Sequence, residues 1–561
     1  MQNPKEIVSW ITENNYSKSK EFIYFFLSLG IPTALSFCLG RYLSKFHSKQ
    51  AIIEVEKPSK FSWLLYVITP LILYFLILNL DINGQIDLYH EGERLQLNGL
   101  PYKDLYIQHG LILNYLLPKL SSIIFSNSVE GVRRMFSIIE PVAYIILYFV
   151  GLSFFRGRII LAILPPIFCS GIAYWVGFRE GLCIAVLLSL LNQRIFLAGL
   201  LSGLAFWFSV DYGLYSIAAT LSYLALSFIF EKRDFTTLIK YLSGLALMTI
   251  PALAIFFVLG ILNDFLINLY VQTNYQSIIW GKPFIEFDLD IWSESFRIYA
   301  SILILIISLS FLAYKLGKNE LFNCKYNRKL LLITLFATFF FRTALGRSDY
   351  GHWIDGSSLI ILLLFAPFDS FIFSGHKRLI KALASCSFIL LLAYLNVIHQ
   401  PLQRIRISGF LIRERYNRLK NYFPEKSGLA SQERIGNIKI PEDQLKTIIE
   451  VKNYIEENTN KADFIYDFAN QGAYYFLLDR PSPTKYFNVV YSSTVEMQNE
   501  VIDELEKKKP KVVIFSTGTI YDGIDGIPSS KRHKIVYNYI IKNYSFAKLI
   551  NGTSLYLLKT N

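Results

Sequence analysis

Four chemically able side chains crowd into seven residues: Asp87, His90, Glu91 and Glu93. They follow directly on an apolar run, Phe61 to Leu80, that has no charge in its 20 residues. Arg94, Lys103, Asp104 and His109 come shortly after. Carboxylates placed just above a membrane, beside basic groups, suit abstraction of a proton from a hydroxyl or amine while a lipid-linked phosphate leaves. His90, Glu91 and Glu93 equally have the donor types that hold a divalent metal ion. A solvated interfacial loop is the bland alternative.

A second stretch, Arg342 to Gly356 (RTALGRSDYGHWIDG), carries Arg347, Ser348, Asp349 and His352. Arg347 offers a planar fork of donors and His352 a ring N–H, both suited to a phosphate. Arg179, Glu180 and Asp211 also lie at span ends, where a structural Arg–Glu pair is as good a reading as a functional one.

The order D-x-x-H-E-G-E (Asp87 to Glu93), G-x-P-Y-x-D (Gly99 to Asp104) and Q-H-G (Gln108 to Gly110) resembles the first outer loop of GT-C superfamily glycosyltransferases. R-S-D-x-x-H (Arg347 to His352) resembles a late-loop motif of bacterial members. The tail segments Tyr474 to Pro481 and Glu504 to Ile514 resemble parts of an extracytoplasmic domain found in many such enzymes. The resemblance implies an inverting transferase that takes a sugar from a polyprenyl-phosphate donor to a glycan, lipid or protein acceptor. It implies Asp87 as catalytic base, with Glu91 next. Donor and substrate contacts would come from Arg347, His352, Lys103, His90, Asp349 and His109. No cofactor is required beyond a possible divalent ion. One departure is plain: the catalytic loop here follows the second apolar run instead of the first.

These residues need a membrane scaffold, and the composition supplies one. Of 561 residues, 53% are hydrophobic and only 18% charged, which excludes a disordered chain and an ordinary soluble enzyme. About twelve apolar spans are expected: 22–40, 61–80, 135–155, 159–177, 180–193, 195–210, 214–230, 239–262, 298–314, 330–345, 357–374 and 380–398. The expected architecture is a polytopic α-helical membrane domain over 1–400, with its first outer loop at 81–134, and an extracytoplasmic α/β domain over 401–561. In that domain Pro441 to Asn458, Glu500 to Lys509 and Lys531 to Tyr544 read as helices. Asp463 to Phe468 and Lys511 to Ser516 read as strands, and Asn551-Gly552 as a hairpin turn before Ser554 to Lys559.

The net charge of +13 would suggest nucleic acid in a soluble protein. Here it reads as orientation charge. Placing 41–60 in the cytoplasm puts Arg156, Arg158, Arg194, Lys232, Arg233 and the Lys315–Lys329 stretch on the same side. The N-terminus, the catalytic loop, the acidic segment 263–297, the segment 342–356 and the tail then lie outside a bacterial cytoplasmic membrane. The N-terminus shows no cleavable-signal pattern. The five cysteines have no metal or redox spacing and read as packing residues. Three other classes remain: an O-antigen-type polymerase or ligase, a lipid-linked saccharide flippase or transporter, and a non-catalytic scaffold presenting the tail. The acidic first loop disfavours the first, and the lack of repeated halves disfavours the second.

Overall fold

The computed structural model describes residues 18–44, 63–78, 82–95, 98–170, 179–231, 234–274, 284–347, 350–373, 378–399, 434–516, 522–524 and 527–559. Ser348, Asp349, all of the basic segment 45–60, Lys232, Arg233, and 517–521 and 525–526 of the glycine-rich tail loop lie outside them.

Every expected span contains a helix. Among the described residues seven are long and apolar enough to cross a membrane: Glu21–Ser44 (α1), Val129–Phe154 (α5), Val210–Glu231 (α9), Thr236–Val258 (α10), Glu294–Gly317 (α12), Lys325–Gly346 (α13) and Arg378–Leu395 (α15). Between them come shorter apolar helices: Leu64–Ile77 (α2), Ile159–Cys169 (α6), Gly181–Leu191 (α7), Ile195–Phe208 (α8) and the apolar part Gly356–Asp369 of Tyr350–Phe373 (α14). A fourteen-residue helix such as α2 rises only about 21 Å, less than a hydrocarbon core of about 30 Å. The remaining two of this series are the single turn Gly92–Leu95 (α3) and Leu262–Asn274 (α11). One apolar helix, Ile112–Ile124 (α4), falls inside what the sequence marks as loop. Its Ile123 is 80% exposed while Ser121 is fully buried, so it lies with one face outward.

Glycines let helices touch where packing alone, without a hydrophobic drive, must hold them. A Cβ on Gly199 of α8 would strike the Tyr241 carbonyl of α10, and one on Gly244 the Phe196 carbonyl. Outward side chains such as Ile250, Phe257 and Leu390 are exposed, as lipid-facing residues are.

The bundle has two chemically different ends. At one, basic residues tie helix ends together: Arg158 pairs with Asp369, Arg328 reaches Glu231 at 2.9 Å, and Lys329 donates to the Ser153 carbonyl at 2.5 Å. At the other, the segments expected to be outer meet one another. Glu21 accepts from the Phe284 amide (2.8 Å), Tyr394 donates to Ile291 (2.6 Å), and Gln272 donates to Ile107 (2.5 Å).

The tail is an α/β unit with a four-stranded sheet in the order β1-β2-β4-β3. Ile465–Asp467 (β1) runs parallel to Val512–Phe515 (β2). Tyr544–Ile550 (β3) and Thr553–Leu558 (β4) form the hairpin. Asn551 and Gly552 both have positive φ (46° and 85°), as a tight two-residue hairpin turn requires. Glu442–Asn458 (α16), Ala473–Leu477 (α17), Val495–Lys508 (α18), Ser529–Arg532 (α19) and Lys534–Asn543 (α20) complete it. Val451, Val501, Val512, Val513, Ile514, Val536 and Ile540 are wholly buried. The tail core runs on without a break into the first loop: Ile86, Leu88, Tyr89, Leu95, Val129 and Val132 belong to the same apolar cluster.

Candidate active site

Asp87 opens a tight turn that becomes α3. Its Oδ1 accepts the amides of Tyr89 (3.1 Å) and His90 (3.0 Å), so the side chain caps the turn. Its Oδ2 lies 2.7 Å from His90 Nδ1. The D-x-x-H spacing is thus what a helical turn needs to bring carboxylate and ring together. Burial pushes the Asp87 carboxyl up, but the His90 ring, its charge and the two amides outweigh this and hold it below the ordinary range. The pair stays open: the Asp87 side chain is 45% exposed and that of His90 35%.

Glu91 has a different place. Its Oε2 accepts the Asp87 amide at 2.9 Å, and both oxygens are gripped by Arg133 of α5, at 2.5 and 2.8 Å. Arg133 also donates to the carbonyls of Ile82 (2.8 Å), Gly84 (3.2 Å) and Gln85 (2.7 Å). A guanidinium has five N–H donors, and each has an acceptor here. This fork straps the chain before Asp87 to the membrane helix.

Glu93 is buried and bonded to the Tyr491 hydroxyl of the tail. Burial raises its carboxyl above the usual range, against the opposing pull of His90, Tyr491 and Arg94. Tyr491 also meets Gln108 Oε1 (2.5 Å) and stacks on Tyr106 with ring centres 4.9 Å apart. The Tyr89 hydroxyl, raised by burial and by Glu93, lies within the field of Arg347 and Asp87, and its ring meets that of Tyr491 with centres 6.3 Å apart. Arg347, from the second stretch, is thereby gathered beside the first loop. Arg94 covers the Phe136 ring at 4.1 Å and faces Glu93, Glu91 and Asp87.

His109 links this group to a second one. Burial pushes its ring well below the ordinary range, helped by Arg179, opposed by Asp211, and helped further by Arg94 and His90. Arg179 pairs with Asp211 and donates to Ser209 Oγ at 3.2 Å. The partner of Arg179 is therefore Asp211, and Glu180 instead accepts from Ser358. His352 is half-buried on the first turn of α14, and Asp349 lies outside the described residues.

Lys103 stands elsewhere. It is exposed on a turn fixed by Gly99 (φ 103°), by Asp104 Oδ2 accepting the Leu100 amide at 2.8 Å, and by Tyr102 packing on Phe256 and Phe265. That turn belongs to an apolar cluster distinct from the one under Asp87. Among the described residues no three His, Cys, Asp or Glu side chains form a group able to hold a metal ion. Glu91 is held by Arg133 and Glu93 by Tyr491, while His90 contacts Asp87.

Sequence spacing gave no sign of Arg133 or Tyr491. Their partners sit 42 and 398 positions away, beyond any local pattern.

No protein-family model matches the chain, and no curated protein matches it. Among solved structures, the crystal structure of ArnT from Cupriavidus metallidurans bound to undecaprenyl phosphate is similar over 89% of this chain and 98% of that one, with 10% identity and a TM-score of 0.48. The apo crystal structure of that ArnT is similar over 88% and 97%, with 11% identity and a TM-score of 0.44.

Proposed function

We propose that the chain is a membrane glycosyltransferase of the GT-C kind, moving a sugar from a polyprenyl-phosphate donor to an acceptor at the outer face of a bacterial cytoplasmic membrane. The observation that carries this reading is the Asp87–His90 pair: an ionised, half-open carboxylate held at 2.7 Å from an imidazole, at the end of an apolar bundle and in reach of arginine.

In this reading the acceptor hydroxyl gives its proton to Asp87 Oδ2 as its oxygen bonds to the anomeric carbon. The bond from that carbon to the phosphate oxygen breaks, and the lipid phosphate leaves with the electron pair. Attack opposite the leaving group inverts the carbon. His90 fixes the carboxylate and takes up part of the arriving charge. Arg347, with His352, faces the growing negative charge on the phosphate. Glu91 positions Asp87 through its backbone amide instead of touching substrate. Lys103, exposed on its own turn, is given no role in this reading. The acceptor remains a glycan, lipid or protein.

Removing a general base costs about 10²- to 10⁴-fold in rate. Asp87→Asn, assayed in detergent-solubilised membranes with a polyprenyl-phosphate sugar, is expected to lose activity by that factor with folding intact. Full transfer by Asp87→Asn would sink the assignment. Because one detergent phase suffices, donor consumption also separates a transferase from a flippase, which needs two compartments.

A further inference from the structure

Tyr491 sits where three chain segments meet. Its hydroxyl contacts Glu93 and Gln108 from two parts of the first loop, and its ring centre lies 6.3 Å from that of Tyr89, next to the Asp87–His90 pair. It comes from the tail, on a buried turn Val489–Tyr491. Nearby, the Ala473 amide donates to the Leu88 carbonyl (3.0 Å), and Gln444 holds both the amide and the carbonyl of Ile86 at 2.8 Å. The backbone on both sides of Asp87 is therefore bonded to the tail.

We propose that Tyr491 is a positioning residue of the catalytic loop, its hydroxyl being the joint that fixes Glu93 and Gln108 and with them the turn that carries the Asp87–His90 pair. This rests on the glycosyltransferase reading for its consequence, but the joint itself is a matter of hydrogen-bond counting. A phenol has one proton to give and two lone pairs to accept with. Two acceptor oxygens, on Glu93 and Gln108, converge on that single proton. The network closes when Glu93 is a neutral acid: Glu93 donates to Tyr491, and Tyr491 donates to Gln108. Each buried group is then satisfied. An ionised Glu93 would leave two acceptors competing for one hydrogen. The tail is then part of the active site, which is complete only when the tail is seated.

The test uses the full-length chain in nanodiscs and reads amide hydrogen exchange of 87–95 beside sugar transfer. Tyr491→Phe is expected to speed that exchange about tenfold, leaving 495–508 unchanged. Glu93→Gln, a neutral donor of similar shape, is expected to exchange as the wild type does, and Glu93→Ala as Tyr491→Phe. Transfer by Tyr491→Phe is expected to drop about tenfold or more in kcat with the donor KM within about twofold. Unchanged exchange in Tyr491→Phe overturns the joint whatever the activity. Fast exchange in Glu93→Gln overturns the neutral acid. A wild-type chain that transfers no sugar sinks the glycosyltransferase reading alone.

Discussion

At the scale of single residues, the Asp87 carboxylate is under two opposed influences. Burial favours its neutral form, while His90 and the amides of Tyr89 and His90 favour the charged one and win. A base must be ionised to work, and one whose folded value lies below the ordinary 3.8 keeps its charge as pH falls, down past that value. Asp87 is therefore expected to place no acid limb on the rate above about pH 4. His90→Ala removes the main opposing influence, leaving burial opposed only by the two amides. Its rate profile should then fall at higher pH than the wild type's, as read from transfer at a series of pH values. An acid limb that stays in place in His90→Ala would show that His90 does not set the state of Asp87. Residue types alone made Asp87 and His90 legible, because a turn brings neighbours three apart together. They misdirect on Glu91 and Glu93, which look like further chemistry but are taken by Arg133 and Tyr491. Nothing local distinguishes a carboxylate that meets substrate from one that meets a distant arginine.

At the scale of elements, short pieces matter more than spans. α3 is one turn long, yet it brings the loop against the tail: a Cβ on Gly92 would stand 2.6 Å from the Ala473 nitrogen. That neighbour is backbone and cannot swing away. Gly92→Ala is expected to cost about 1–3 kcal/mol, from strain and partial unseating of the tail. Thermal unfolding should show a lowered Tm for the tail, and limited proteolysis faster cutting near 434–440. A Tm equal to wild type would mean the two pieces yield freely. The spans and the tail's helix–strand order were readable because apolar runs and periodicity persist over many residues. The hairpin turn was readable from Asn551-Gly552 alone. α4 escaped notice because Asn114, Lys119, Ser121 and Ser122 interrupt its apolar residues. β3 escaped because its five middle residues are all exposed, leaving no alternation to see.

At the scale of the whole molecule, charge and chemistry separate to opposite ends of the bundle. Basic residues bind helix ends at one, and the catalytic loop, Arg347 and the tail gather at the other. The bias of such residues to inner loops is the ground for the proposed cytoplasmic placement of the basic end. A cysteine at exposed Lys548 should react with a membrane-impermeant maleimide in intact spheroplasts, while one at exposed Asn192 should react only after lysis. The reverse pattern would invert the molecule. The break between bundle and tail was visible as a change in composition. Their shared core was not, because it joins Ile86 and Leu88 to Val512 and Val536 across most of the chain. That shared core has a consequence for how the protein is made. Translation supplies the loop long before the tail, and at about 5–20 residues per second the interval from Gln108 to Tyr491 is on the order of half a minute. Through that interval the loop stands at the membrane without the apolar surface that shapes it. If the chain is the proposed transferase, a product truncated or stalled before Tyr491 should be inert toward the donor.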